Sequence, residues 1–470
     1  MTEINKLMFR NYDIRGRANR RELNEKTLEL IGRGFGTYLG RRKIQDVVVG
    51  YDFRSYSEKF KNAFVKGLVS TGAHIIDIGL SLTPMLYWAQ YYFRTKGGAM
   101  ITASHNPNGW SGIKLASDFS KTLAGDEIQE IYSIIKKGDF RVGQGLIKRD
   151  HFNDHIKDVY TEVVTRRVNI KKPLKIVVEC GNGTASFFAP NILRKTGCKI
   201  TEFFCEPDWT FPHHIPDPES KKAKEALAEK VKKTKADLGI SFDGDGDRLG
   251  VVDEKGNDVW SDRLLILMAR QVLERHPGAK IVFDVKCTQA LPEDIKNYGG
   301  VPIMWKTGHS YIKRKLQEEG AALAGERSGH FYFVDNWYGF DDAIFASLRL
   351  IEYLSEQNKS FSEILKTTPF YDYVNSPTIY IPCPDEKKFE IVKLLVENFK
   401  KEYGVKNVID IDGARVNFED GWGLVRASST EPALVVIFEA KNQEKLEEIK
   451  NIFKVKLGKY HEIGKKWRNE

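Results

Sequence analysis

Three aspartates alternate with glycine in Asp243-Gly244-Asp245-Gly246-Asp247, and Arg248 follows at once. Alternating glycines let a chain turn tightly, so the carboxylates converge on one hard cation instead of repelling one another along a strand. Magnesium suits such oxygen ligands. Calcium fits less well, because the spaced ligands of an EF-hand loop closing on Glu are absent. A bound Mg²⁺ neutralises charge that repels an incoming phosphoryl oxygen, so phosphate chemistry is expected, with Arg248 as a clamp on the same group. An acidic surface turn is the competing reading.

A second string, Thr102-Ala103-Ser104-His105-Asn106-Pro107-Asn108-Gly109, follows an apolar segment that starts at Gly97-Gly98. It offers a hydroxyl on a proline-stiffened loop, where a nucleophile or its phosphoester can be presented. Adjacent Ser104 and His105 need not meet, and a structural Asn-Pro turn is the alternative. Lys114 is a plausible charge partner or proton carrier for this loop. In Glu326-Arg327-Ser328-Gly329-His330, Glu and Ser can bind sugar hydroxyls and His can move a proton near neutrality, although a surface loop explains the string equally well. His309 is similarly ambiguous, and Lys286 can reach a cleft from a strand end.

Near the C-terminus, Arg426-Ala427-Ser428-Ser429-Thr430-Glu431-Pro432 gathers a guanidinium and several hydroxyls. An Arg fork matches phosphate oxygens, and hydroxyls with loop N–H groups complete a cup; a plain Ser/Thr-rich loop is the alternative. Two anion sites, one metal-assisted and one not, would hold opposite ends of a phospho-sugar or bisphosphorylated ligand. Tyr12, Asp13 and Arg15 read as a compact polar loop before Gly16, with Arg15 available to an anion.

The elements that must position these loops alternate in period. Helical patterns over 26–39 and 60–69 flank the apolar strand Val47-Val48-Val49, and Ile75 to Ile78 forms a second strand. Lys175 to Val178, Leu238 to Phe242 and Lys280 to Asp284 repeat the theme, each ending in glycine or polar residues, where α/β domains place ligands. A basic, polar segment over 148–167 connects a first domain to a second, and Asp253 to Asn257 makes a compact second join. The region from Thr367 to Pro384 marks a third boundary, followed by a helix over 387–403 and an extended stretch from Asn407 to Ile411. Leu434 to Phe438 is predicted as an edge strand leading to a terminal helix near Glu444. The expected domains are 1–150, 151–253, 254–368 and 369–470.

The chain has 470 residues, with 73 Lys plus Arg against 64 Asp plus Glu, a formal charge of +9. That modest excess suits a focused cleft for a small anion; the scattered basic pairs lack the aromatic platforms of a single-strand nucleic-acid binder. Apolar runs stay short of the ~20 residues a bilayer demands, and the start lacks an export pattern, so a cytoplasmic protein is expected. The 5 cysteines are never spaced as CxxC, which opposes a disulfide framework and a thiolate zinc site. Gly32 to Gly36 lies within a helical pattern and is no dinucleotide loop; His213-His214 and His151 with His155 lack a zinc context.

Together the four loops resemble the α-D-phosphohexomutase superfamily, most closely its bacterial bifunctional phosphomannomutase/phosphoglucomutase group. The resemblance implies three related mixed-sheet α/β domains followed by a smaller α+β domain, all lining one central cleft. It implies a phosphoserine at Ser104, with Ser104, Asp243, Asp245 and Asp247 as magnesium ligands. Lys114, Arg248, His330 and Arg15 are the other implied catalytic residues, Lys114 and His330 being the acid/base candidates. Lys286 and His309 line the cleft, Glu326 and Ser328 read sugar hydroxyls, and Arg426, Ser428, Ser429 and Thr430 form the distal phosphate cup. Tyr12, His105 and Asn106 resemble further substrate contacts. The implied reaction moves a phosphoryl group between O1 and O6 of mannose or glucose phosphates through hexose 1,6-bisphosphate. A phosphoglucosamine mutase, a Mg²⁺-dependent sugar phosphatase and a non-catalytic phospho-sugar binder are the alternatives. No nucleic acid or membrane partner is expected, and a monomer or weak homodimer is. Ser111, Ser429, Glu431 and Ile437 depart from the family pattern, which bears on substrate choice more than on reaction type.

Overall fold

A computed structural model describes residues 4–148, 152–429, 431–464 and 466–468, with side chains described outside 152–154. The first α/β unit is built on a 7-stranded sheet whose main path runs Ile14–Arg17, Trp110–Asp118, Gly97–Ile101, Asp46–Tyr51, His74–Leu80, Ile147–Lys148. Its centre is parallel, and Trp110–Asp118 runs antiparallel beside Gly97–Ile101. The second unit has a 5-stranded sheet in which Leu238–Phe242 pairs parallel with Lys175–Glu179 and antiparallel with Leu249–Asp253. The third has a 4-stranded sheet in which Leu323–Gly325 pairs parallel with Lys280–Asp284 and antiparallel with Phe331–Phe333.

One motif therefore occurs three times: a buried strand from the parallel part of the sheet, a loop, and an antiparallel return. The loops are those carrying Ser104, the aspartates and Glu326. The fourth unit, a 6-stranded antiparallel sheet backed by helices Asp385–Tyr403 and Gln443–Leu457, supplies an equivalent hairpin, Gly421–Ala427 returning as Ala433–Ala440.

Helix Phe152–Arg166 makes the expected connection between the first two units, burying Ile156, Tyr160 and Val164. Tyr160 meets Trp88 of the first unit edge-on at 5.8 Å and donates to Asp342 of the third at 2.8 Å. One hydrophobic cluster runs through all three α/β units, joining Val48, Trp88, Ile176, Leu265 and Phe345, and the first unit has a further core of its own around Phe35, Phe64 and Ile113. The last unit has its own core around Phe399, Phe438 and Phe453, and meets the third through a small cluster of Val285, Trp422, Leu424, Val435 and Ile437.

Two expectations need correction. Leu434 to Phe438 is internal, lying in a strand paired with Gly421–Ala427 on one side and with Ile379–Pro382 and Val374–Asn375 on the other. Every residue of Ala433–Ala440 is buried, which accounts for a run without polar alternation. Arg15 lies in the strand Ile14–Arg17, paired opposite Gly112, and only Tyr12 and Asp13 belong to a bend. All five cysteines are buried free thiols.

Candidate active site

The Ser104 loop is held from below. Arg54, buried on helix Ser57–Val69's approach, donates to the carbonyls of Ser104 at 2.9 Å, Asn106 at 2.7 Å and Pro107 at 3.0 Å, while Asp52 steadies its Nε at 3.2 Å. Ser104 itself adopts a left-handed backbone, φ +49°, which is costly for a non-glycine residue and persists where the surroundings over-determine it. Its N–H donates to Thr102 Oγ1 at 2.9 Å, and its Oγ donates to Asp243 Oδ2 at 2.6 Å. His105 Nδ1 lies 3.1 Å from the same Oγ, so these neighbours do meet.

The aspartate loop arrives from the second unit. Gly246 takes φ +73°, and the turn is tied by Asp247 and Arg248 N–H groups donating to Asp243 Oδ1 at 3.1 and 3.2 Å. Asp243, Asp245 and Asp247 are each 0% exposed, and one carboxylate oxygen from each lies within 4.8 Å of the others. Asp245 Oδ1 and Asp247 Oδ1 are buried without a hydrogen-bond partner. Acceptor-only oxygens in that state fit a hard divalent cation, so the cluster is consistent with a metal-binding site. Thr83 and Thr102 donate to Asp245 Oδ2 at 2.6 and 3.0 Å. Lys114 bonds Asp245 at 2.8 Å and also Asp247. Burial pulls the Lys114 ammonium down, but Asp245 and Asp247 outweigh it and hold its pKa above the ordinary range. Burial and the neighbouring Asp247 and Asp245 push Asp243 well up; Asp247 goes well down, its burial outweighed by Lys114 and His330.

The third loop faces this centre. His330 Nε2 lies 3.4 Å from Asp247 Oδ1, and its Nδ1 lies 3.0 Å from Ser328 Oγ. Glu326 accepts from the Gly308 N–H at 2.7 Å and Tyr332 OH at 2.6 Å, leaving each oxygen a lone pair for another donor. His309 stands 5.1 Å from Tyr12 ring to ring, and burial, with Lys313 and Lys114 nearby, keeps it well below its usual pKa and neutral. Burial does the same for His105, reinforced by Arg248 and Arg15. Lys286 lies 3.3 Å from Asp284.

These loops open on a cleft of about 980 Å³. Ser104, His105, Lys114, Arg248 and Arg15 line it; so do Tyr12, Lys286, His309, Glu326, Ser328 and His330, and, from the last unit, Arg426, Ser428 and Ser429. The aspartates lie buried beneath its floor. Asn106 stays outside the lining and instead accepts from Arg15 Nη1. Thr430 lies outside the described residues, as does His151. Several supporting residues had no sequence signal: Arg54, Thr83, Glu219 beside Arg248 at 3.7 Å, and Asp412, which holds Arg426 Nε at 2.9 Å while accepting from the Thr307 N–H at 3.0 Å. Each depends on a contact between distant segments.

The chain matches all four domains described for phosphoglucomutase/phosphomannomutase: α/β/α domain I over 6–142, domain II over 150–256, domain III over 260–371 and the C-terminal domain over 379–454. It belongs to that family. A phosphomannomutase/phosphoglucomutase of Pseudomonas putida is 42% identical over 452 residues, covering 96% of this chain and 95% of that one. A phosphoglucomutase of Neisseria gonorrhoeae is 38% identical, with 97% of both chains covered. The crystal structure of a phosphoglucomutase/phosphomannomutase family protein from Burkholderia thailandensis is similar with a TM-score of 0.89 and 36% identity, covering 97% of this chain and 98% of that one. The three α/β/α domains and the smaller C-terminal domain of the family coincide with the sheets described above. Among the described residues no helix is long and apolar enough to cross a membrane.

Proposed function

We propose that the chain is a phosphohexomutase that moves a phosphoryl group reversibly between O1 and O6 of mannose and glucose phosphates. Ser104 carries the group, and hexose 1,6-bisphosphate is the intermediate and activator. The observation that carries this reading is Ser104 Oγ, 2.6 Å from a buried three-aspartate cluster, in a cleft whose far wall presents Arg426. The four segments divide the work: phosphoserine loop, metal loop, sugar-recognition loop and distal phosphate cup.

Asp243, Asp245 and Asp247 would hold Mg²⁺ together with Ser104. When bound, the ion supplies charge that offsets repulsion around the transferring phosphoryl group. In the forward direction the bond between phosphorus and Ser104 Oγ breaks as one forms to O6 of the hexose 1-phosphate. The O6 proton passes to His330, oriented through Nδ1 by Ser328. Lys114, held protonated by its carboxylates, gives a proton to the leaving Ser104 Oγ and takes it back when the phosphoryl group returns, and Arg248 and Arg15 flank the group in transfer. The bisphosphate then turns end for end, Arg426, Ser428, Ser429 and Thr430 exchanging which phosphate they hold. His105, Tyr12, Lys286 and His309 shape the cavity, with Asn106 holding Arg15 from behind its wall, while Glu326 and Ser328 keep the ring hydroxyls in similar places in both poses. Phosphoryl returns from O1 to Ser104, and His330 gives the proton to O1. Closure of the last unit keeps water from the seryl phosphate.

Parallel kinetics on glucose, mannose and glucosamine 1-phosphates, with catalytic hexose 1,6-bisphosphate, test the reading. The expected products are glucose and mannose 6-phosphates, with no stoichiometric release of inorganic phosphate, and Ser104→Ala abolishes turnover. Phosphate release without any 6-phosphate rejects a mutase, and a glucosamine preference rejects the substrate assignment. The chain is expected to work in the cytoplasm as a monomer or weak homodimer, which light scattering on the purified protein checks for assembly.

A further inference from the structure

The distal cup contains an acid. The Glu431 N–H donates to Ser428 Oγ at 3.1 Å, so its side chain leaves the turn beside the cup hydroxyls, and it lines the cleft. A carboxylate there repels the dianion that the cup is read to hold. It is met by Arg468, whose Nη2 lies 2.7 Å from Glu431 Oε2.

Arg468 is brought from the far end of the chain by a defined attachment. Tyr380 and Arg468 exchange both backbone hydrogen bonds at 3.1 and 2.9 Å, and the Gly464 N–H donates to Pro382 O at 2.8 Å. Trp467 packs on the core of the last unit. The Arg468 guanidinium lies 5.5 Å from the Tyr380 ring centroid, and both residues line the same cleft as Arg426 and Ser428. Arg426 is fixed, being buried and bound to Asp412. The Arg468 side chain is 51% exposed and that of Glu431 43% exposed, and an ion pair so open to water holds weakly against a competing dianion.

We propose that Arg468 is a second guanidinium of the distal phosphate site: Glu431 holds it at the mouth of the cup, and it passes to the substrate phosphate as ligand enters. The inference rests on the mutase reading and adds to it a substrate-binding residue from the C-terminal tail. Because the tail is attached through its backbone, Arg468→Gln leaves it in place, and thermal melting of each variant checks that the last unit remains folded.

The test combines steady-state kinetics with calorimetric binding of glucose 1-phosphate to the wild type, Arg468→Gln, Arg468→Lys, Glu431→Thr and the double variant Glu431→Thr/Arg468→Gln. Loss of one charge-assisted contact predicts about tenfold higher KM and Kd in Arg468→Gln, with kcat within about threefold. Arg468→Lys recovers part of the affinity, because a point charge replaces the fork. The double variant stays weak. Unchanged affinity in Arg468→Gln overturns the proposal; so does wild-type affinity in the double variant, which reduces Arg468 to a counter-ion for Glu431. Failure of the mutase reading looks different: the wild type binds glucose 1-phosphate without forming 6-phosphate, and the Arg468 effect is still read in Kd.

Discussion

Gly244 has no room for a side chain. A Cβ there would lie 2.4 Å from the carbonyl oxygen of Ser104, so the absence of a methyl group sets how closely the metal loop approaches the serine loop. Gly244→Ala must push the two loops apart at the reacting centre, where a misplacement of about 1 Å costs on the order of 10²-fold. The expected result is a fall in kcat of that size with a melting temperature little changed, because the shift is confined to two loops. His330→Ala removes the proposed proton carrier and should cost about 10²–10⁴-fold in kcat with modest change in KM.

The element beneath each loop sets its rigidity. Arg54 gathers three carbonyls of the Ser104 loop with a single planar fork, and Asp52 holds that fork in place; both side chains are 2% exposed. Arg54→Ala leaves a buried carboxylate short of its cation, at a cost of about 3–5 kcal/mol, measurable by denaturant unfolding. Arg54→Lys should rescue little, since an ammonium cannot reach the same carbonyls in one plane.

In the second unit, strand Lys175–Glu179 ends on a carboxyl that burial pushes up to about 8, offset only in part by the Gly181 N–H. The folded state therefore keeps a proton on Glu179 that the unfolded chain releases at ordinary carboxylate pH. Stability from this group is full below the unfolded pKa and is lost as pH rises toward about 8. Near pH 7 the slope is about 1 kcal/mol per pH unit. Glu179→Gln should flatten the fall in melting temperature between pH 7 and 8.

At the scale of the molecule, one hydrophobic cluster ties the three α/β units together while the last unit is attached through a few side chains. Trp422, 1% exposed, lies at that seam: its Nε1 donates to Glu439 at 2.7 Å, and Arg415 stacks on it at 3.6 Å while bonding Val285 O and Cys287 O. The core of the last unit lies elsewhere, around Phe399 and Phe453. Trp422→Ala should therefore loosen the docking without unfolding the unit. Small-angle scattering should report a larger radius of gyration, and KM should rise more than kcat falls, because the distal cup is carried by the loosened part.

The loops that carry chemistry were legible in the sequence because their chemistry is local. Alternating Asp and Gly, a hydroxyl on a proline-stiffened turn, and Arg among Ser and Thr each state what they can bind within a few residues; the apolar runs before the first two read as strands, while the strand Gly421–Ala427 before the third carried no such reading. Ala433–Ala440 was misplaced at an edge because its composition reports burial and not which strands bury it, and Arg15 was read as loop because its partner strand lies almost a hundred residues away. Arg54, Asp412 and Arg468 were invisible for the same reason: a lone charged residue has no pattern until folding supplies its partner. Sequence determined which groups are present and how each loop turns. Only tertiary packing decided that four hairpin loops from four sheets face one cavity, because that depends on a core shared across units and on backbone approaches such as that of Gly244 to Ser104.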